Sequence, residues 1–300
     1  MATAELPDRD LPAAAESRAR EGLTTREPDV LSELETEFKH TRARVFAMVL
    51  RYLAQPRWWV ELAIIGGLYA GYSAIRNSVG EVTNSAFANG VDILRLEDDW
   101  HMALERPLND LLVHTRWLAD VSSLHYASFH FIVTPAVLIW LYVCHRTQYR
   151  RASSILIVTT LLALIGFYLV PTAPPRMLGH QGFVDIMSLT SSWGWWPASG
   201  APGSDAISNQ FAAMPSLHCA WATWCGVTVY LLARRNWVRI LAACYPFSTF
   251  FVVMGTGNHY LLDVIAGLVT LAAGTAIIYA LWYAWRRSVL VAEERVRLGQ

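Results

Sequence analysis

Lysine is nearly absent from this 300-residue chain: Lys39 is the only one, and arginine carries almost all of the positive charge. Lysine and arginine together number 24 and so do aspartate and glutamate, giving a formal net charge of zero. There is thus no basic excess of the kind that draws a protein to nucleic acid. Cysteine is scarce too. Cys144, Cys219, Cys225 and Cys244 fall in or at the ends of apolar runs; they read as small buried hydrophobes, not as a zinc site or a disulfide framework. No internal repeat is evident. The first thirty residues, MATAELPDRDLPAAAESRAREGLTTREPDV, lack the continuous apolar core of a secretory signal and are polar and rich in alanine, proline and charge. They predict a disordered cytoplasmic tail.

What is abundant is apolar sequence. Hydrophobic residues make up 54% of the chain. Crossing about 30 Å of hydrocarbon takes roughly 20 apolar residues per helix, and six runs qualify: about 57 to 79, 125 to 145, 152 to 171, 215 to 233, 238 to 256 and 260 to 285. The expected fold is therefore all-α, a polytopic bundle of six transmembrane helices with interfacial helices and a disordered N-terminal tail. Residues 1–56 form the tail, with a surface helix or an ordinary solvated helix near 30 to 54. Residues 57–124 form the first span and an outer loop, 125–287 the core of the chemistry, and 288–300 a second cytoplasmic tail. Arginine near a membrane crossing prefers the cytoplasmic side. Arg146, Arg150 and Arg151 follow the second run, Arg234, Arg235 and Arg239 lie between the fourth and fifth, and Arg286 and Arg287 follow the last. Alternation places all three groups on one side, with both termini inside. The 80 to 124 loop then lies outside, and its apolar residues at helical spacing predict one or two short interfacial helices. In the second outer loop, 172 to 214, Trp193, Trp195 and Trp196 are expected to anchor at headgroup depth.

The polar residues that interrupt the apolar runs converge on the outer face. His259 and Asp263 open the sixth run. Positions i and i+4 share a helical face, close enough for the carboxylate to accept the hydrogen on histidine Nδ1 and leave Nε2 with its lone pair. An aspartate in an apolar helix costs on the order of 2.5 to 3.5 kcal/mol, so it needs that partner. In MPSLH, Pro215 suits the first helical position, and the amides of Ser216, Leu217 and His218 fall in a first turn that lacks intrahelical acceptors. Such a turn is a ready anion site, here presenting an imidazole as well. Arg176, in PTAPPRM, ends the third run on the same face. A fixed cation, a nucleophile, an acid and open amides describe phosphoryl transfer without an obvious metal.

In order along the chain, PTAPPR, PSLH and HYLLD resemble the type 2 phosphatidic acid phosphatase superfamily, whose usual signature is K-x6-R-P, P-S-G-H and S-R-x5-H-x3-D. The matching residues are Arg176, then Pro215, Ser216 and His218, then His259 and Asp263. Leu169 stands at the lysine position, Met177 follows Arg176, Leu217 replaces the glycine, and Val252 and Val253 replace the Ser-Arg pair. In form the motifs look more like those of the inositol phosphorylceramide synthase branch, which transfers a phosphate-linked headgroup between lipids. A phosphodiester carries less charge than a phosphomonoester, in keeping with fewer cations. The resemblance covers roughly residues 125 to 285.

That resemblance implies an enzyme acting on phospholipid-type phosphate esters; the apolar runs and the loop arginines put it in a membrane with its site on the extracytoplasmic face, and the arginine bias points to a bacterial plasma membrane. His259 would attack phosphorus to form a phosphohistidine and Asp263 would orient it. His218 would protonate the leaving alkoxide and later activate the acceptor. Arg176 and Ser216 would bind the nonbridging oxygens. The partners are a membrane lipid and, for a transferase, a polyol or lipid alcohol acceptor, with water as acceptor in a phosphatase; no cofactor, metal or nucleic acid is expected. Three rival readings stay open. Two histidines and a carboxylate also compose a metal triad, Ser216 or Ser204 with His259 would make an intramembrane protease, and His218, His259 and Asp263 could relay protons in a transporter.

Overall fold

A computed structural model of the chain describes residues 83–196 and 211–297, with Arg57 and short helical pieces between 59 and 71 ahead of them; side chains are described as far as Arg287. The chain divides into two units, Met1–Leu62 and Ala63–Gln300. In the first unit the described residues are Arg57, Trp59, Val60 and Glu61, the last three helical. The predicted tail, the helix of 30 to 54, more than half of the first predicted span, the last residues of the chain and Ser204 lie outside the described residues.

The second unit is helical. Among its described residues no strand forms, and a single bridge joins Thr172 to Ala212. In chain order the helices are α1 (Thr83–Asp99), α2 (Glu105–His114), α3 (Arg116–Cys144), α4 (Arg146–Leu169), α5 (Ile186–Thr190), α6 (Leu217–Leu232), α7 (Asn236–Gly255) and α8 (Leu261–Arg297). Two 3₁₀ turns, Pro175–Met177 and Gly179–Gln181, stand between α4 and α5.

Four helices among the described residues are long and apolar enough to cross a membrane: α3, α4, α7 and the Leu261–Arg287 part of α8. The predicted run of 215 to 233 becomes α6, whose 16 residues rise only about 24 Å, short of the hydrocarbon thickness. The chain ahead of it is bridged to the segment after α4, through the Thr172 N–H to the Phe211 carbonyl at 2.7 Å. The six-span expectation therefore becomes four full-length spans and one shorter apolar helix, with the first predicted span mostly outside the described residues. The outer faces of these helices are apolar: Ile132 and Ile139 of α3, Ile165 of α4, Leu231 of α6, Phe247 of α7 and Val269 of α8 are all exposed. Such a surface would associate in water and is the natural exterior in hydrocarbon. The chain is an integral membrane protein.

Two boundaries differ from expectation. The loop of 80 to 124 is helical throughout most of its length, as α1, α2 and the start of α3, which begins at Arg116 and not near 125. At 29 residues, α3 extends about 43 Å and outruns the bilayer core. Arg146, Arg150 and Arg151 lie in the first two turns of α4, not in a loop, because His145 alone separates α3 from α4. Their long side chains allow the charge to sit away from the helix that carries it: the Arg151 guanidinium lies 5.2 Å over the ring of Tyr279 in α8.

The turn at His145 adjoins the turn of 233 to 235, since Cys144, His145, Ala233 and Arg234 line one groove. The arginine groups thus gather at one end of the bundle. At the other end α4 finishes, α6 begins, and α7 turns into α8. There α8 crosses the start of α6 with no room to spare. A Cβ on Gly267 would lie 2.4 Å from the Ser216 carbonyl oxygen. Gly267→Ala is expected to lower the unfolding midpoint in detergent, because overpacking against backbone costs about 1 to 3 kcal/mol and exceeds alanine's gain in helix propensity of roughly 1 kcal/mol. An unchanged midpoint would mean that α8 shifts freely there.

Candidate active site

Asp263 is the third residue of α8, and its Oδ2 reaches back to accept the Tyr260 N–H at 2.9 Å. This is the acid half of a capping box. The same oxygen lies 3.3 Å from His259 Nδ1, as the i, i+4 spacing predicts. The Ala213 carbonyl lies nearer to that nitrogen, at 2.9 Å, an acceptor that sequence reading missed because it comes from the loop ahead of α6. A carbonyl only accepts, so Nδ1 carries the hydrogen, and in the neutral ring Nε2 holds the lone pair. Asp263 is fully buried, and its Oδ1 has no hydrogen-bond partner.

The start of α6 is tied to the start of α8. Ser216 is the N-cap of α6, with φ −69° and ψ 107°; its Oγ accepts the Cys219 N–H at 3.4 Å, and its own N–H donates to the Asp263 carbonyl at 2.9 Å. Pro215 therefore precedes the cap and does not open the helix, since the serine hydroxyl is the better cap. The amides left without intrahelical acceptors are those of Leu217 and His218. The His218 ring centroid lies 5.7 Å from that of His259 at 61°. On its other sides it stacks on Tyr126 at 4.8 Å and meets His130 edge-on at 4.4 Å. Its Nε2 is buried without a hydrogen-bond partner.

Arg176 arrives from the 3₁₀ turn after α4. Its backbone N–H donates to the Gly257 carbonyl at 2.7 Å. Gly257 has φ +74°, a conformation suited to glycine, and a Cβ there would crowd the Arg176 Cβ at 3.2 Å. Arg176 Nη1 donates to Asn258 Oδ1, and Nε faces Asp185 Oδ2 at 3.6 Å. Asn258 is braced by its own Nδ2, which donates to Thr256 Oγ1 at 2.8 Å. Asp185 caps α5 by accepting the Ser188 N–H at 3.0 Å; burial raises its pKa and Arg176 draws it back down. Asn258, the residue before His259, thus ties the cation to the chain that leads into α8. Asn258→Ala is expected to lower kcat/KM roughly tenfold, the scale of one hydrogen bond to a charged group, mainly through KM. Steady-state kinetics checks this, and an unchanged KM would show that Asp185 alone holds the arginine.

Arg176, Ser216, His218, His259 and Asp263 therefore come together at one end of the bundle. Asp263 is turned to His259 and Tyr260, and among the described residues no group of three histidine, cysteine or carboxylate side chains could hold a metal ion. Asn258, Asp185, Tyr126 and His130 enter the site from outside the motifs. His130, which no motif marks, is packed against His218 by its position on α3. His180, four residues after Arg176, is exposed. Of the tryptophans expected to anchor at the interface, Trp193 and Trp195 are exposed but Trp196 is buried. Its Nε1 donates to the Met187 carbonyl at 3.1 Å and its ring packs into the core around Tyr126 and Cys219.

A family model described as "PAP2 superfamily" matches residues 91–290. The match begins within α1, well ahead of the position near 125 at which the motif resemblance starts. The phosphoinositol dihydroceramide synthase of Bacteroides thetaiotaomicron is 27% identical over 139 residues, which is 41% of this chain and 43% of that protein. The match thus spans less than half of that relative's length. No solved structure matches.

Proposed function

From the premise that the chain belongs to the PAP2 superfamily, we propose that it is a lipid phosphotransferase working through a phosphohistidine on His259. The observation that carries the reading is the approach of the His218 and His259 rings to 5.7 Å, with the second ring oriented through Nδ1 by Ala213 and Asp263. In the first step His259 Nε2 forms a bond to phosphorus as the bond to the leaving oxygen breaks, and protonated His218 gives that oxygen its proton. In the second step the acceptor hydroxyl loses its proton to His218 as its oxygen bonds to phosphorus and the P–N bond breaks. Arg176 and the Leu217 and His218 amides would stabilise the nonbridging oxygens. The Ser216 hydroxyl can still donate a hydrogen bond while it caps α6.

The relative's name supports an inositol phosphate headgroup and a lipid alcohol as acceptor. So does the missing charge: Val253, at a cation position of the family signature, is buried among Tyr126, Cys219 and Val264, which suits a phosphodiester better than a phosphomonoester. Asp263 already serves His259 and Tyr260, and the chemistry needs no metal. The arginine groups at the opposite end favour an extracytoplasmic site with both termini cytoplasmic, in a bacterial plasma membrane. The test is to incubate purified protein with labelled phosphatidic acid, isoprenoid phosphate and phosphatidylinositol, with and without a ceramide or inositol acceptor and a strong chelator. A new phosphodiester that forms despite the chelator is expected. Free phosphate alone would make water the acceptor, and proton or solute flux without any product would favour a transporter.

A further inference from the structure

The helices ahead of the membrane core end in two acids that the mechanism above leaves unused. Glu97, in the last turn of α1, and Glu105, the first residue of α2, are fully buried although neither helix spans the membrane. They meet at the start of α8. Glu97 Oε1 accepts the Leu262 N–H, and Glu105 lies against Glu97 and the Leu261 amide. These are amides that a first helical turn leaves without internal acceptors. The two acids therefore approach from outside the helix that Asp263 caps from within.

No donor of full hydrogen-bond geometry reaches Glu97 Oε2 or either oxygen of Glu105. Two buried carboxylates side by side cannot both stay ionised, and a proton on Glu97 Oε2 supplies the missing donor to Glu105. Burial first, and then the neighbouring Glu105 charge, push the Glu97 carboxyl up to about 9; burial raises Glu105 as well, while the Leu261 amide and Arg106 work the other way. The other groups that face the pair are Asp263 of α8 and the Tyr260 phenol, which donates to the Ala173 carbonyl at 2.8 Å. Arg106 is directed elsewhere, to Asp98 at 3.1 Å and the Gln181 carbonyl at 2.8 Å.

We propose that Glu97 and Glu105 are a positioning pair that shares one proton and fixes the first turn of α8, and with it the His259–Asp263 pair. The proposal rests on His259 and Asp263 carrying the chemistry. It gives α1 and α2 a role in catalysis, consistent with a family match that begins inside α1. Loss of the shared proton sets two negative charges beside buried Asp263 and drives the acids away from α8. Glutamine at Glu97 keeps an acceptor for Leu262 and a donor for Glu105 but does not titrate, so it separates positioning by a proton from a merely structural contact.

The experiment uses the purified full-length protein in detergent, with dioctanoyl phosphatidic acid and dioctanoyl phosphatidylinositol as probes and a short-chain ceramide present as acceptor. Wild-type kcat is expected to fall as pH rises through about 9, with KM little changed. Glu97→Gln should retain neutral-pH turnover and lose that alkaline fall. Glu97→Ala should lose roughly tenfold or more in kcat, the scale of a small misplacement of reacting groups. Hydrogen exchange at the Leu261 and Leu262 amides, read without any substrate, should accelerate in Glu97→Ala and stay at the wild-type rate in Glu97→Gln. A wild-type alkaline limb in Glu97→Gln, or wild-type exchange in Glu97→Ala, would overturn the proposal. If neither probe turns over in the wild type, the phosphoryl-transfer reading fails, and the exchange rates still decide whether the acids cap α8.

Discussion

His259→Ala is expected to abolish turnover, with a loss of roughly 10⁴-fold or more, the scale seen when a nucleophile that works with a partner is removed. The ring has no substitute. Asp263 Oδ2 and the Ala213 carbonyl both address Nδ1, so the other nitrogen is the one that can attack. His218 lies within 5.7 Å by ring centroid but is enclosed by Tyr126 and His130 and is needed for proton transfer. The substitution also strips Asp263 of a partner in a buried place, which destabilises. His259→Gln, whose amide can still donate to Ala213 or Asp263, is the companion variant. Both should be inactive, and the glutamine form should elute from detergent size exclusion as the wild type does. Turnover near the wild-type rate in either variant would remove His259 from the mechanism.

Asp263→Asn is expected to lower kcat by roughly 10³ to 10⁴-fold with a modest change in KM, as when the carboxylate that fixes a catalytic histidine's tautomer becomes an amide. One oxygen, Asp263 Oδ2, faces both the Tyr260 N–H and His259 Nδ1, so an asparagine that keeps its oxygen there preserves the cap of α8 and the tautomer but loses the negative charge that supports the ring as it attacks phosphorus. If the amide nitrogen takes that place instead, its hydrogens clash with both N–H groups and the helix start is disturbed. Steady-state kinetics with unfolding midpoints separates the two results. A loss below about tenfold would mean that the carboxylate charge contributes little and that the Ala213 carbonyl suffices to orient the ring.

How much of this could be read in advance follows from how local each interaction is. The His259–Asp263 pair is a helical i, i+4 relation, and the start of α6 is a local capping event; both were visible in PSLH and HYLLD, with an error of two positions, since Leu217 and not Pro215 opens the helix behind the Ser216 cap. Apolar runs located α3, α4, α7 and α8 because hydrocarbon thickness sets their length. The Ala213 carbonyl, the Asn258–Arg176 bond and the contact of Glu97 with Leu262 join segments far apart in the chain, and no periodicity encodes them. Glu97 sits beside Asp98 and Asp99 in a cluster that reads as a solvated face, yet it alone turns inward to α8. Trp196 was misread for the opposite reason. Three nearby tryptophans suggest a common interface role, and only packing on Met187 and the Tyr126 core reveals that one of them is interior.

The most direct measurement is the covalent state of His259 during turnover. Purified protein mixed with phosphate-labelled lipid, quenched in alkali, digested and analysed by mass spectrometry should carry label on the peptide that contains His259. The adduct should have the mass of phosphate or of the phosphorylated headgroup, should be labile in acid, and should be absent from His259→Gln. Label on a different residue, or product formation at the full rate with no labelled protein under rapid quench, would contradict a phosphohistidine at His259.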